Sequence, residues 1–136
     1  MRLDKEHKLL APVAAYVRRK GFSLQETEVQ FYQYRIDLYG CSRIDRRTVA
    51  IELKLRNWRR ALEQALLYQL CADLVFVALP EKVKDSVDTG FCRRYGIGML
   101  TVSDDGRCRQ VISPAQSSVV LEHYRKTYVD FLRGGT

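Results

Sequence analysis

The sequence predicts an α/β fold with a mixed central sheet flanked by helices, and three observations carry that expectation. Two runs, Tyr34–Gly40 and Thr48–Leu55, alternate in character as half-buried strands do. The second run leads through an amphipathic helical stretch into the apolar run Leu74–Leu79. That order is a β-α-β unit, which puts the Thr48 strand near the middle of a sheet. Helical periodicity brackets the whole, with Leu9, Leu10, Val13, Ala14 and Val17 at one end and Val120, Leu121, Tyr124, Tyr128, Phe131 and Leu132 at the other. The 136 residues suit one domain, 1–136. Its α-β-β-β-α-β core covers 5–80, and strands and a helix over 97–132 complete it.

Each element has a local reason. Residues 5–20 form the first helix, which Gly21 stops. Leu24–Phe31 and Tyr34–Gly40 make a hairpin around Tyr32-Gln33, although that pair is not a favoured two-residue turn. With those residues at the tip, Phe31 pairs with Tyr34 and Glu28 falls opposite Asp37. Glu26, Glu28 and Gln30 then share the face of Arg35, Asp37 and Tyr39, while a one-residue slip would turn Glu28 away. Cys41–Arg47 is a polar turn, and Asn57 suits the N-cap of a helix running to about Ala72. Val83, Val87 and Phe91 mark a shorter helix weakened by Gly90. Ile97–Val102 and Arg107–Ile112 are strands around the Asp104-Asp105-Gly106 turn, and Ser117 or Ser118 opens the last helix.

Composition narrows the partner. The net charge is +7. Basic residues cluster at Arg18-Arg19-Lys20, at Arg43 with Arg46 and Arg47, at Arg56 with Arg59 and Arg60, and at Arg93-Arg94. Such an excess suits a phosphate backbone, since each neutralised phosphate releases condensed counterions. The four cysteines form no C-x-x-C pair and have no histidine at zinc spacing. The charged residues Met1–His7 contain no signal-peptide core, and no apolar run is long enough to span a membrane. Reduced thiols and a cytoplasmic location are the expectation. His7 and His123 stand apart, so histidine-based chemistry is not expected.

The candidate site lies on the first two alternating runs. In Thr48–Leu55, Val49, Ile51, Leu53 and Leu55 share one face, and Glu52 and Lys54 project from the other. A carboxylate and an ammonium two residues apart usually make a solvated face. Here, however, Asp37 stands in an apolar run, the strand is central, and Gln64 lies on one helical stripe with Arg60 and Tyr68.

The ordered set Asp37, Glu52-Leu53-Lys54 and Gln64 resembles the PD-(D/E)XK phosphodiesterase superfamily, and is closest in pattern to its small Holliday junction resolvase-like and repair members. Ile36 stands where the pattern has Pro. The resemblance implies a restriction endonuclease-like fold and a metal-dependent nuclease in DNA repair, recombination or defence. In that family's manner Asp37 and Glu52 would hold Mg²⁺ together with the backbone carbonyl of Leu53, and Mn²⁺ would substitute. Lys54 would stabilise developing charge and Gln64 would orient water or substrate. A further carboxylate would come from Glu28 or from Glu6. Arg35, Arg56, Arg59, Arg60 and Tyr68 are the expected nucleic-acid contacts, with DNA favoured over RNA. No sequence-reading module is present, so structure-selective or non-specific cleavage is expected, in a monomer or a homodimer. Two other classes stay open: a catalytically silent nucleic-acid-binding module of the same fold, and a protein-interaction domain with an incidental basic surface.

Overall fold

In the computed structural model, which describes residues 6–134, one mixed sheet of six strands is flanked by helices. The strands lie side by side in chain order: β1 (Leu24–Phe31), β2 (Tyr34–Cys41), β3 (Thr48–Leu53), β4 (Leu74–Pro80), β5 (Gly98–Val102) and β6 (Cys108–Ile112). β1, β2 and β3 pair antiparallel, β3, β4 and β5 parallel, and β6 returns antiparallel to β5. Helix α1 (His7–Arg19) covers one face through Leu9, Val13 and Val17, which pack with Leu38, Val49, Ile51 and Leu53. Lys5, the first residue of the predicted helix, lies outside the described residues.

The opposite face carries α2 (Trp58–Tyr68), a 3₁₀ helix (Glu81–Ser86), α3 (Thr89–Tyr95) and α4 (Glu122–Leu132). Its core gathers Ala50, Val75, Val77 and Met99 beneath Ala61, Leu62 and Ala65. β3 is buried throughout. Its alternation sends Val49, Ile51 and Leu53 to α1, and Ala50 toward α2. At Gly98, an added Cβ would meet the Phe76 ring at 2.6 Å, so only glycine lets β4 and β5 approach there.

The hairpin register is the one expected, Phe31 with Tyr34 through to Leu24 with Cys41. Tyr32 turns it by taking a left-handed conformation, φ 55°. The ladder is interrupted where Glu28 and Asp37 would face each other, and Glu28 is itself left-handed at φ 53°. Alternation breaks at the same place: Ile36 and Tyr39 belong to the α2-side core and Leu38 to the α1 side.

Three helix expectations are corrected. α2 ends at Tyr68, not near Ala72, and turns lead from it into β4. The stretch around Val83–Phe91 is two helices, because Asp88 caps α3 with its carboxylate on the Phe91 N–H, 3.0 Å away. The last helix starts at Glu122 with Leu121 at its N-cap; the Ser117 hydroxyl donates to the Gln69 carbonyl at 2.6 Å and accepts from the Val119 N–H at 3.3 Å, in a turn that precedes the helix. α4 packs on the hairpin: the Tyr124 hydroxyl meets that of Tyr32, and the Tyr128 hydroxyl donates to the Gln30 carbonyl at 2.7 Å. Phe131, assigned to its apolar stripe, is exposed.

Asp73, at the start of β4, holds this arrangement together. Its Oδ2 accepts from the Thr48 N–H and hydroxyl, both at 2.9 Å, and its Oδ1 from the Gln116 amide at 2.9 Å. Arg125 of α4 lies 3.4 Å from the same carboxylate. Removing a buried acceptor with several donors strands each of them. Asp73→Ala is therefore expected to destabilise the fold by about 3–5 kcal/mol, read as a lower urea midpoint at unchanged m-value.

Candidate active site at the fork of two strands

Regular pairing of β2 with β3 ends at Leu38 and Ile51. The next residues on each strand are Asp37 and Glu52, so two carboxylates stand where the strands diverge. Asp37 Oδ2 accepts the Leu53 N–H at 2.7 Å, taking the place of a ladder bond. Glu52 is only 4% exposed and its Oε1 accepts from the Tyr68 hydroxyl at 3.0 Å. The two carboxyl groups stand close enough for each to act on the ionisation of the other.

The electrostatics follow from this crowding. Burial is the largest effect on Asp37 and raises its pKa, against the Leu53 N–H, which favours the carboxylate. Burial and then the Asp37 charge push Glu52 up to about 8. Such a pair titrates as a unit. Lys54 opposes the shift on both groups, whereas Glu6 adds to it on Asp37. The Lys54 N–H is tied to the Ala78 carbonyl at 3.0 Å, and its ammonium lies 4.0 Å from Glu6 Oε2. The first helix thus brings its carboxylate to the site. Glu28 is exposed, and it is not among the groups that act on Asp37.

α2 supplies the other wall. Tyr68 is fully buried, and besides Glu52 its hydroxyl is 3.3 Å from the Arg35 carbonyl. This corrects the expectation that Tyr68 contacts nucleic acid, because its ring is in the core and its hydroxyl holds Glu52 in place. The sequence carried a signal for that role, since Tyr68 sits one turn from Gln64 on the same stripe. The Gln64 side-chain oxygen is buried and accepts no hydrogen bond. Asn57 occupies the N-cap position as expected, but in a left-handed conformation with no side-chain cap bond.

Arg35, Arg56, Arg59 and Arg60 are all exposed. Arg56 borders a cavity of about 410 Å³ with Glu6 and Lys54. Arg59 and Arg60 border a wider one of about 810 Å³ with Gln64. Asn57 lies on the wall of both.

The donor set fits a hard divalent cation. Among the described residues no group of three or more His, Cys, Asp or Glu gathers at a metal-binding spacing. Two carboxylates do suffice for Mg²⁺, which keeps most of its waters. Asp37 Oδ1 and Glu52 Oε2 are free of the bonds to Leu53 and Tyr68. Two neighbouring carboxyl groups that burial and each other's charge hold back from ionising mark a place where a cation would relieve repulsion. The thiols offer no competing nucleophile: burial pushes Cys71 up to about 12 and Cys92 up to about 11.

No protein-family model matches the chain, and no curated protein does. Among solved structures, the chain is similar to SPO1766, a protein of unknown function from Silicibacter pomeroyi. The likeness covers 98% of this chain and 87% of that one, at 18% identity and a TM-score of 0.75. At that identity it establishes a shared fold, an α/β architecture with a mixed sheet between helices. No helix among the described residues is long and apolar enough to cross a membrane.

Proposed function

We propose that the chain is a metal-dependent nucleic-acid phosphodiesterase with the restriction endonuclease-like topology, acting on DNA in preference to RNA. The observation that carries this reading is the pair Asp37 and Glu52 at the strand fork, one held by the Leu53 N–H and the other buried beneath the Tyr68 hydroxyl, with Lys54 following on the same strand. A purely structural pair of carboxylates has no reason to be held together in a desolvated site. A solvated strand face would leave Glu52 exposed, not beneath Tyr68.

Asp37 and Glu52, with the Leu53 carbonyl, would hold Mg²⁺ or Mn²⁺, and Glu6 stands beside Lys54 at the edge of the site. The bound ion would supply a water of lowered pKa and offset charge on the phosphorane. Each carboxylate is oriented by a fixed donor, the Leu53 N–H for Asp37 and the Tyr68 hydroxyl for Glu52. Lys54 places its ammonium where non-bridging phosphate oxygens gain charge. Gln64 contributes a buried acceptor that needs a donor, which an attacking water provides. The guanidinium groups of Arg35, Arg56, Arg59 and Arg60 pair with phosphates along the strand. The free thiols and the charged surface fit the cytoplasm.

Isothermal titration of Mg²⁺ and Mn²⁺ tests the reading without knowledge of the substrate. Wild type is expected to take up the ion with release of a proton, and Asp37→Ala to lose at least a hundredfold in affinity. Uptake that is indifferent to Asp37→Ala would sink the proposal.

A further inference from the structure

The chemistry above uses the fork and leaves the wider cavity beside it unassigned. That cavity lies between the start of β2 and the first turns of α2. Two aromatic side chains, Tyr34 and Trp58, line it together with Arg59, Arg60 and Gln64, and Glu63 adds one opposing charge. Tyr34 and Trp58 are half-buried and pack from behind against the α2-side core, which fixes their rings while leaving part of each accessible. The Arg59 guanidinium lies over the Trp58 ring, 5.6 Å from its centroid. Flat apolar surfaces interleaved with guanidinium groups are what a nucleobase and its phosphate require together. A fully solvated basic face would not place its only tryptophan there.

Position strengthens the reading. Tyr34 lies three residues before Asp37 on β2, about 10 Å of extended chain. Gln64 belongs both to this cavity and to the α2 stripe that reaches Glu52 through Tyr68. A strand whose phosphate sits at the fork would therefore lay a neighbouring nucleotide into the cavity. A base in a continuous duplex has both faces stacked on its neighbours and offers neither ring to Tyr34 or Trp58. An unpaired base offers its face freely.

We infer that this cavity binds an unpaired nucleotide flanking the scissile phosphate, with its base on Tyr34 and Trp58 and its phosphate on Arg59 and Arg60. The substrate is then a single strand, an overhang or a frayed end, not an uninterrupted duplex. This deepens the phosphodiesterase reading and rests on it for the phrase "scissile phosphate", but base binding is measurable alone.

Trp58 is the sole tryptophan of the chain, so its fluorescence reports stacking without a label. The full chain in EDTA is titrated with oligodeoxythymidine, oligouridine of equal length, a blunt dT·dA duplex, and an abasic sugar-phosphate strand of the same charge. Single strands carrying bases are expected to quench Trp58 and to bind about tenfold more tightly than the abasic strand or the duplex. The relative affinity of the first two probes assigns DNA or RNA as the source of the base. Tyr34→Ala is expected to remove most of the tenfold advantage while leaving abasic binding unchanged. Equal affinity for abasic and base-bearing strands, without quenching, would overturn the inference. If Mn²⁺ uptake still depended on Asp37 in that case, the phosphodiesterase reading would stand. Base-dependent quenching in a protein that takes up no Mn²⁺ would retain the cavity and reject the chemistry.

Discussion

Lys54→Ala is expected to lower Mn²⁺-dependent turnover of a nucleic-acid panel by two to three orders of magnitude, about the loss of one oriented charge donor. Its binding affinity should stay within a few-fold of wild type. The reason lies in where the ammonium stands. It is the cation that acts on both carboxyl groups, and it is anchored at the end of β3 by its own N–H on the Ala78 carbonyl. In the proposed reading phosphate is bound elsewhere, by the exposed arginines on and before α2. Losing Lys54 also leaves the carboxyl pair more firmly protonated, which would weaken metal uptake and mimic a catalytic defect. Assays at saturating Mn²⁺ separate the two effects, since full metal occupancy leaves only the catalytic loss. Lys54→Arg keeps the charge but replaces a compact ammonium with a planar fork, and should recover metal affinity more fully than turnover. Wild-type turnover in Lys54→Ala would assign the chemistry to another group.

The alternation of Thr48–Leu53 made the two faces of β3 legible, and with them the separation of Glu52 from Val49, Ile51 and Leu53. Hairpin register was legible too, because Tyr32 and Gln33 leave few ways to join two strands of equal length. The interruption at Glu28 and Asp37 was not. A left-handed residue inside a strand has no mark in a two-residue period, and Glu28 is not a residue type that favours one. That same interruption turns Asp37 toward the Leu53 N–H, so the feature that makes the pair is the one that periodicity conceals. Tyr68 was placed on the right stripe but given an outward role, because a stripe shows direction around a helix and not depth beneath neighbouring residues. Ser117 misled for a similar reason. Its hydroxyl meets a carbonyl 48 residues away in sequence, and local capping preference cannot anticipate a distant acceptor.

The fork shows why binding and stability oppose each other here. Asp37 and Glu52 each have a donor, yet together they lie where their charges repel and where water is scarce. In a protein held only for stability, one of them would be an amide or an apolar residue. Keeping both suits the proposed cation site, where binding would relieve the repulsion.

Glu52→Gln is therefore expected to raise the stability of the metal-free protein while removing its metal affinity. Glu52 ionises near pH 4.5 in its ordinary state and is pushed up to about 8 in the fold. Between those values the unfolded chain has released a proton that the folded chain still binds. Stability contributed by this group is thus present in full below about pH 4.5 and is lost progressively as pH rises to about 8. The substituted amide has no acidic proton to lose and its oxygen still accepts from the Tyr68 hydroxyl, so the variant escapes the loss. At pH 8.5 the gain should be on the order of 2–4 kcal/mol by urea unfolding in EDTA, shrinking toward zero near pH 4.5. Metal affinity runs the opposite way. In wild type it should rise about tenfold per pH unit up to about pH 8, because uptake displaces the Glu52 proton, and then level off. In Glu52→Gln it should be weak and independent of pH over that range. A variant no more stable than wild type at pH 8.5 would mean that the carboxyl pair is not strained, and that the fork is not a cation site.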